Sequence, residues 1–134
     1  MPPPQLLLNR TVLVVDNDPD IRTAIDMALQ AEGALTQVCG DGLTAIDICA
    51  SDPPELMVLD MMLPGCSGFV VLERIRDMAD PPVVFMVTGN EGRRHREYAE
   101  ERGVAGYFNK PVSLDTLIHS ACEALAKRER PRPG

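Results

Sequence analysis

The sequence predicts an α/β protein built on a doubly wound, five-stranded parallel sheet with five helices on its two faces. Three observations predict it. Apolar runs of four to six residues recur along the chain, and each is followed by a segment with helical periodicity. Such strict strand–helix alternation favours parallel pairing through right-handed crossovers. The central runs are continuously apolar, as strands buried on both faces must be.

The first strand is Val12–Val15. A helix over Pro19–Ala31 follows, with Ile21, Ala24, Ile25, Ala28 and Leu29 on one face. Pro19 suits its first turn, Asp18 its cap, and Gly33 its stop. Leu35–Cys39 is a weaker strand, and Gly42–Ala50 a short helix facing inward with Ala45, Ile46 and Cys49. Leu56–Leu59 is the third strand and ends at Asp60; Ser67 caps a helix reaching Met78. Val83–Val87 is the most apolar strand and ends at Thr88. Glu91–Arg102 is a very polar helix whose inward face offers only Tyr98 and Ala99, with Val104 just beyond. Ala105–Phe108 is the fifth strand, followed by Lys110-Pro111. Ser113–Lys127 is the last helix, with Leu114, Leu117, Ile118, Ala121 and Leu125 in register.

The chain has 134 residues, which suits one domain over 11–127. Residues 1–10 are expected to be a flexible N-terminal extension, and 128–134 a flexible tail or the start of a linker. The net charge of −7 at pH 7 and the absence of a basic stripe argue against direct nucleic-acid binding. Arg93, Arg94 and Arg96 read as a solvated helix face. The four cysteines have no CxxC spacing and only two histidines accompany them, so zinc is not expected. They read as reduced thiols of a cytoplasmic protein. MPPPQLLLNR is too short in apolar residues for a signal peptide, and no segment has the length of a membrane span.

In open α/β sheets the working groups gather at the carboxyl ends of the strands. Here the first strand ends in Asp16, Asn17 and Asp18, the third in Asp60 and the fourth in Thr88, while Lys110 follows the fifth. Taken singly, each has a plain explanation. Asp18 is best read as a helix cap, and Asp60 and Thr88 also suit turns. Together, on four strand ends of five, they make an acidic nest beside a hydroxyl and an ammonium group. Clustered oxygen ligands without His or Cys suit Mg²⁺, which keeps waters and shares phosphate oxygens. A carboxylate can attack phosphorus, and a hydroxyl and a lysine can then contact the phosphoryl oxygens. The set reads as phosphoryl transfer to an aspartate.

The motifs VLVVDNDPD, VLDMMLPGCSGF, VFMVTGN and GYFNKPV, in this order, resemble the receiver domain of two-component response regulators over roughly residues 11–127. The resemblance implies a flavodoxin-like sheet of strand order 2-1-3-4-5. It implies that Asp60 accepts a phosphoryl group from a sensor histidine kinase or phosphotransfer protein in a Mg²⁺-dependent reaction. Asp16 is then a metal-site acid acting largely through water, with Asp60 and the backbone carbonyl of Met62 completing the site. Thr88 is the switch hydroxyl, Lys110 the partner of the phosphorylated aspartate, and Pro111 typically follows through a cis bond. Tyr107 is the switch aromatic. The surface of the fourth helix, fifth strand and fifth helix would change shape, dock a downstream protein or effector domain, or pair two copies. A receiver of this kind phosphorylates and dephosphorylates itself and is not a turnover enzyme. One position departs: the family usually has an acid where Asn17 stands, so metal binding should be weakened.

Three other readings compete. Asp16-Asn17-Asp18, Thr88 and Lys110 also mimic a haloacid dehalogenase-type phosphohydrolase using Asp16. Asp20 is wrong for that pattern, no acidic pair follows Lys110, and Asp60 would have no role. A receiver-like binding module that accepts no phosphate is supported by Asn17 alone. A dinucleotide-binding domain is weaker, since CGDGLTAI follows the second strand and lacks a third glycine.

Overall fold

The computed structural model describes residues 5–89 and 93–128. Its elements are β1 (Thr11–Val15), α1 (Pro19–Ala31), β2 (Leu35–Cys39), α2 (Gly42–Ser51), β3 (Leu56–Asp60), α3 (Gly68–Arg76), β4 (Val83–Thr88), α4 (Arg93–Glu101), β5 (Gly106–Asn109) and α5 (Leu114–Arg128). The five strands form one sheet in the order β2-β1-β3-β4-β5, every pair parallel.

Alternation along the strands sorts the core into two layers. Val12, Val14, Leu56, Val58, Phe85 and Val87 pack with Ile25 and Leu29 of α1 and Leu117, Ile118, Ala121 and Leu125 of α5. Leu13, Val15, Met57, Leu59, Val84 and Met86 pack with residues of α2, α3 and α4 on the other face. Successive side chains point to opposite faces. A strand covered on both faces is therefore apolar throughout, and β3 is buried at every residue. β2 is an edge strand, with Leu35 and Val38 exposed, which explains its weaker apolar signal.

The helix ends follow local chemistry. The Asp18 carboxylate accepts from the Asp20 and Ile21 N–H groups, and Asp41 and Ser67 cap α2 and α3 by accepting from Thr44 and Val70. α3 ends at Arg76 rather than Met78, with Asp77 as its C-cap. The expected start of the fourth helix at Glu91 lies outside the described residues.

Two expectations are corrected. Residues 5–10 differ from a flexible extension: Leu7 is fully buried against α1 and α5, and its N–H donates to the Glu32 carbonyl at 2.9 Å. The Asn9 N–H donates to the Gly33 carbonyl, and Arg10 pairs with Glu55 at 2.8 Å. Gly33 has φ +89°, and a Cβ there would meet the Leu8 backbone at 2.9 Å, so glycine both makes the turn and admits the clamp. Residues 1–4 and 129–134 lie outside the described residues. The second correction concerns Tyr98, which does not enter the core beneath α4. Only Ala99 of α4 is buried. Tyr98 turns instead to Phe69 of α3, edge to face at 4.7 Å between ring centroids.

Candidate functional site

The parallel register brings Asp16, Asp60, Thr88 and Lys110 to one edge. Asp60 ends β3 opposite Val87, and Thr88 pairs with Asn109 one residue before Lys110. The Lys110 ammonium bridges the two carboxylates, 2.9 Å from Asp16 Oδ2 and 3.3 Å from Asp60 Oδ2. Its backbone N–H donates to the Thr88 carbonyl at 2.8 Å, and the Lys110-Pro111 peptide is cis. Asp16, Asp60 and Thr88 are all buried polar residues.

Each acid is held by backbone groups as well. Asp16 Oδ1 accepts the Asp18 N–H at 2.9 Å, and Asp60 Oδ1 accepts the Met62 N–H at 3.2 Å. The loop after Asp60 turns back sharply. Gly68 N–H donates to the Met61 carbonyl, and a Cβ on Gly68 would lie 2.4 Å from the Asp60 carbonyl oxygen. Only glycine fits at that approach.

The electrostatics follow from burial and crowding. Burial raises the Asp60 carboxyl above the usual range, and the neighbouring Asp16 carboxylate adds to the rise. The Met62 N–H and the Lys110 ammonium oppose it. Lys110 is raised too: burial works against its charge, but its contacts with Asp16 and Asp60 outweigh burial. The centre is thus two crowded acids held by one cation.

Asn17 is exposed beside Asp16 and carries an uncharged amide oxygen. The Met62 side chain is also exposed, and its backbone adjoins the Asp60 carboxylate. Tyr107 is partly buried on β5, with the Arg96 guanidinium 5.9 Å from its ring centre. Among the described residues no three His, Cys, Asp or Glu side chains form a metal-holding group. The donors at the strand ends are therefore two carboxylates supplemented by amide and carbonyl oxygens. All are hard oxygen ligands, a set that fits Mg²⁺ retaining several waters and fits no thiolate metal. Burial lifts the thiol of Cys39 and pushes that of Cys49 up to about 11, so neither is a thiolate at neutral pH.

Arg22 was not singled out in the sequence, yet its guanidinium donates to the Asp16 carbonyl at 3.0 Å. The available signal was its position as the lone cation in the acid-rich run DNDPDIR.

Comparison with known proteins bears on this geometry. The sequence model of the family described as response regulator receiver domain matches residues 12–121. Response regulator MprA of Mycobacterium avium (strain 104) is 31% identical over 120 residues, covering 90% of this chain and 52% of that protein. Its counterpart in Mycobacterium tuberculosis (strain ATCC 25618 / H37Rv) shows the same identity and coverage. The chain thus spans about half the length of these relatives. Among solved structures, the Francisella response regulator 1452 receiver domain superposes with a TM-score of 0.83 at 27% identity, covering 91% of this chain and 100% of that one. A CheY-like response regulator receiver domain protein from Methanospirillum hungatei JF-1 superposes at 0.86 with 23% identity, covering 91% and 98%, and supports the fold.

Proposed function

The chain belongs to the response regulator receiver domain family, and from that premise we propose that it is a working phosphoacceptor that takes a phosphoryl group onto Asp60 with Mg²⁺. The observation that carries this reading is the Lys110 ammonium bridging Asp16 and Asp60 at 2.9 and 3.3 Å, with Thr88 on the adjacent strand end. Asp60 supplies the nucleophilic oxygen. Asp16, Asn17, Asp60 and the Met62 carbonyl would hold the cation, which screens the charge of the incoming phosphoryl group. An Asp60 carboxylate oxygen bonds to phosphorus while the bond to the donor's leaving group breaks, and the electron pair departs with that group. Lys110 keeps an ammonium beside the new phosphoryl oxygens, and Thr88 donates its hydroxyl to them.

The new charge then biases the face formed by α4, β5 and α5. Thr88 moving toward the phosphoryl group makes room for Tyr107, whose ring leaves the Arg96 guanidinium as it turns inward. A groove of about 610 Å³ on this face is lined by Arg96, Tyr107, Phe108, Glu123, Lys127 and Arg128. It would serve a downstream protein, an effector domain or a second copy. The donor would be a sensor histidine kinase or phosphotransfer protein. No helix among the described residues is long and apolar enough to cross a membrane, in keeping with a cytoplasmic setting. A second reading, a receiver-like module that binds without accepting phosphate, rests on the uncharged Asn17.

The test is incubation with acetyl phosphate, with Mg²⁺ or with chelator, followed by intact mass measurement. One added phosphate that needs Mg²⁺ supports the phosphoacceptor. An unmodified mass under both conditions sinks it in favour of the binding module.

A further inference from the structure

Asp16 is held at every polar group. Its N–H donates to the Cys39 carbonyl at 3.1 Å, Oδ1 accepts from Asp18, and Oδ2 meets Lys110. Its remaining group, the carbonyl, accepts the Arg22 guanidinium at 3.0 Å. That carbonyl belongs to the peptide joining Asp16 to Asn17, so its direction sets where the Asn17 side chain starts. Arg22 comes from the first turn of α1, where the helix dipole disfavours a cation. Its place is therefore not explained by the helix. The end of β2 leaves room for it, since a Cβ on Gly40 would sit 3.0 Å from the Arg22 Nη1.

We infer that Arg22 is a positioning residue for the cation site: by holding the 16–17 peptide it aims the amide oxygen of Asn17 at the metal. The inference rests on the reading of the strand ends as a Mg²⁺ and phosphoryl centre. Within that reading it explains how a neutral ligand serves. An amide oxygen has no net charge to draw the ion from a distance, so its contribution depends on being fixed in place before the ion arrives.

The charge of Arg22 and its positioning predict opposite signs. As a nearby positive charge, Arg22 repels Mg²⁺, so removing it would tighten metal binding. As a positioning residue, its removal loosens the Asn17 peptide and weakens binding. The experiment uses the full chain, with Arg22→Met, Arg22→Lys, Asn17→Ala and the Met/Ala double variant. Mg²⁺ midpoints are read by NMR titration at fixed ionic strength, and exchange of the Asn17 and Asp18 amides is read without metal. Positioning predicts that Arg22→Met raises the Mg²⁺ midpoint about three- to tenfold, in line with the loss of one outer-shell hydrogen bond. It also predicts faster exchange at the two amides, recovery of most of both effects in Arg22→Lys, and little added effect of Arg22→Met once Asn17 is Ala. A midpoint that falls or stays the same in Arg22→Met, with unchanged amide exchange, overturns the inference. If the unmodified protein shows no Mg²⁺ response, the cation reading fails, and unchanged exchange in Arg22→Met would overturn the positioning role on its own.

Discussion

Asp60 is buried, crowded by Asp16 and raised in pKa, and its charge is tolerated because Lys110 lies 3.3 Å away. A carboxyl raised in the folded state holds its proton to higher pH than in the unfolded chain. Folding then takes up protons between the unfolded value near 3.8 and the raised folded value, and stability falls as pH rises through that window. Asp60→Asn should therefore be more stable than the parent at pH 7 without metal, because it removes a carboxylate whose charge burial and Asp16 disfavour. Its advantage should fade as pH drops through the folded pKa of Asp60. Thermal melts across that range check it; equal stability at neutral pH would mean Lys110 fully compensates the burial. The same crowding bears on Asn17. Asn17→Asp should bind Mg²⁺ roughly tenfold more tightly, about 1.4 kcal/mol of added attraction for a hard cation. Titration at fixed ionic strength measures this, and unchanged affinity would remove Asn17 from the ligand set. The acids and Lys110 were legible from sequence because each stands at a strand end. Arg22 was not, because its contact is with a carbonyl and backbone partners leave no trace in side-chain type.

At the scale of elements, α4 is held unusually. Its N-terminal half carries Arg93, Arg94 and Arg96, and Glu100 and Glu101 close it. This is the reverse of what the helix dipole favours. Its internal ion pairs, Arg93–Glu97 and Arg96–Glu100, run in the weaker Arg-first order. With Ala99 as its one buried residue, the helix is fastened sideways to α3. Phe69 stacks on His95 and meets the Tyr98 edge, while the Arg102 guanidinium covers the Tyr98 ring at 3.3 Å and pairs with Glu73. Arg102→Ala should speed amide exchange in α4 by roughly three- to tenfold and leave α1 and α5 unchanged; a uniform change across the molecule would show that the strap is not local. The low apolar content of this helix was plain in the sequence, but the strap was not, since it joins residues up to 29 apart. The N-terminal segment is the opposite case. It reads as a flexible extension in the sequence, whereas the buried Leu7 fixes residues 5–10. Leu7→Ala should cost about 2–4 kcal/mol, as for other fully buried leucines, and a chemical denaturation midpoint close to the parent's would contradict the clamp.

For the whole molecule, the order of apolar runs was enough to derive the sheet, because parallel strands buried on both faces leave a continuous signal that turns and helices interrupt. Boundaries slipped where hydrogen bonding rather than hydrophobicity decides them, as at the Asp77 cap of α3 and in β5, which runs to Asn109 through its pairing with Thr88. The same sheet gathers four strand ends into one acidic centre and sets α4, β5 and α5 beside it, so the proposed phosphorylation of Asp60 would act on one face. The most direct measurement locates that event. Protein treated with Mg²⁺ and acetyl phosphate is reduced with borohydride, which converts an aspartyl phosphate to homoserine, and the chain is mapped by tandem mass spectrometry. Phosphorylation of Asp60 yields homoserine at position 60 and nowhere else. Homoserine at position 16, or none at 60 in protein that has gained a phosphate, would contradict it.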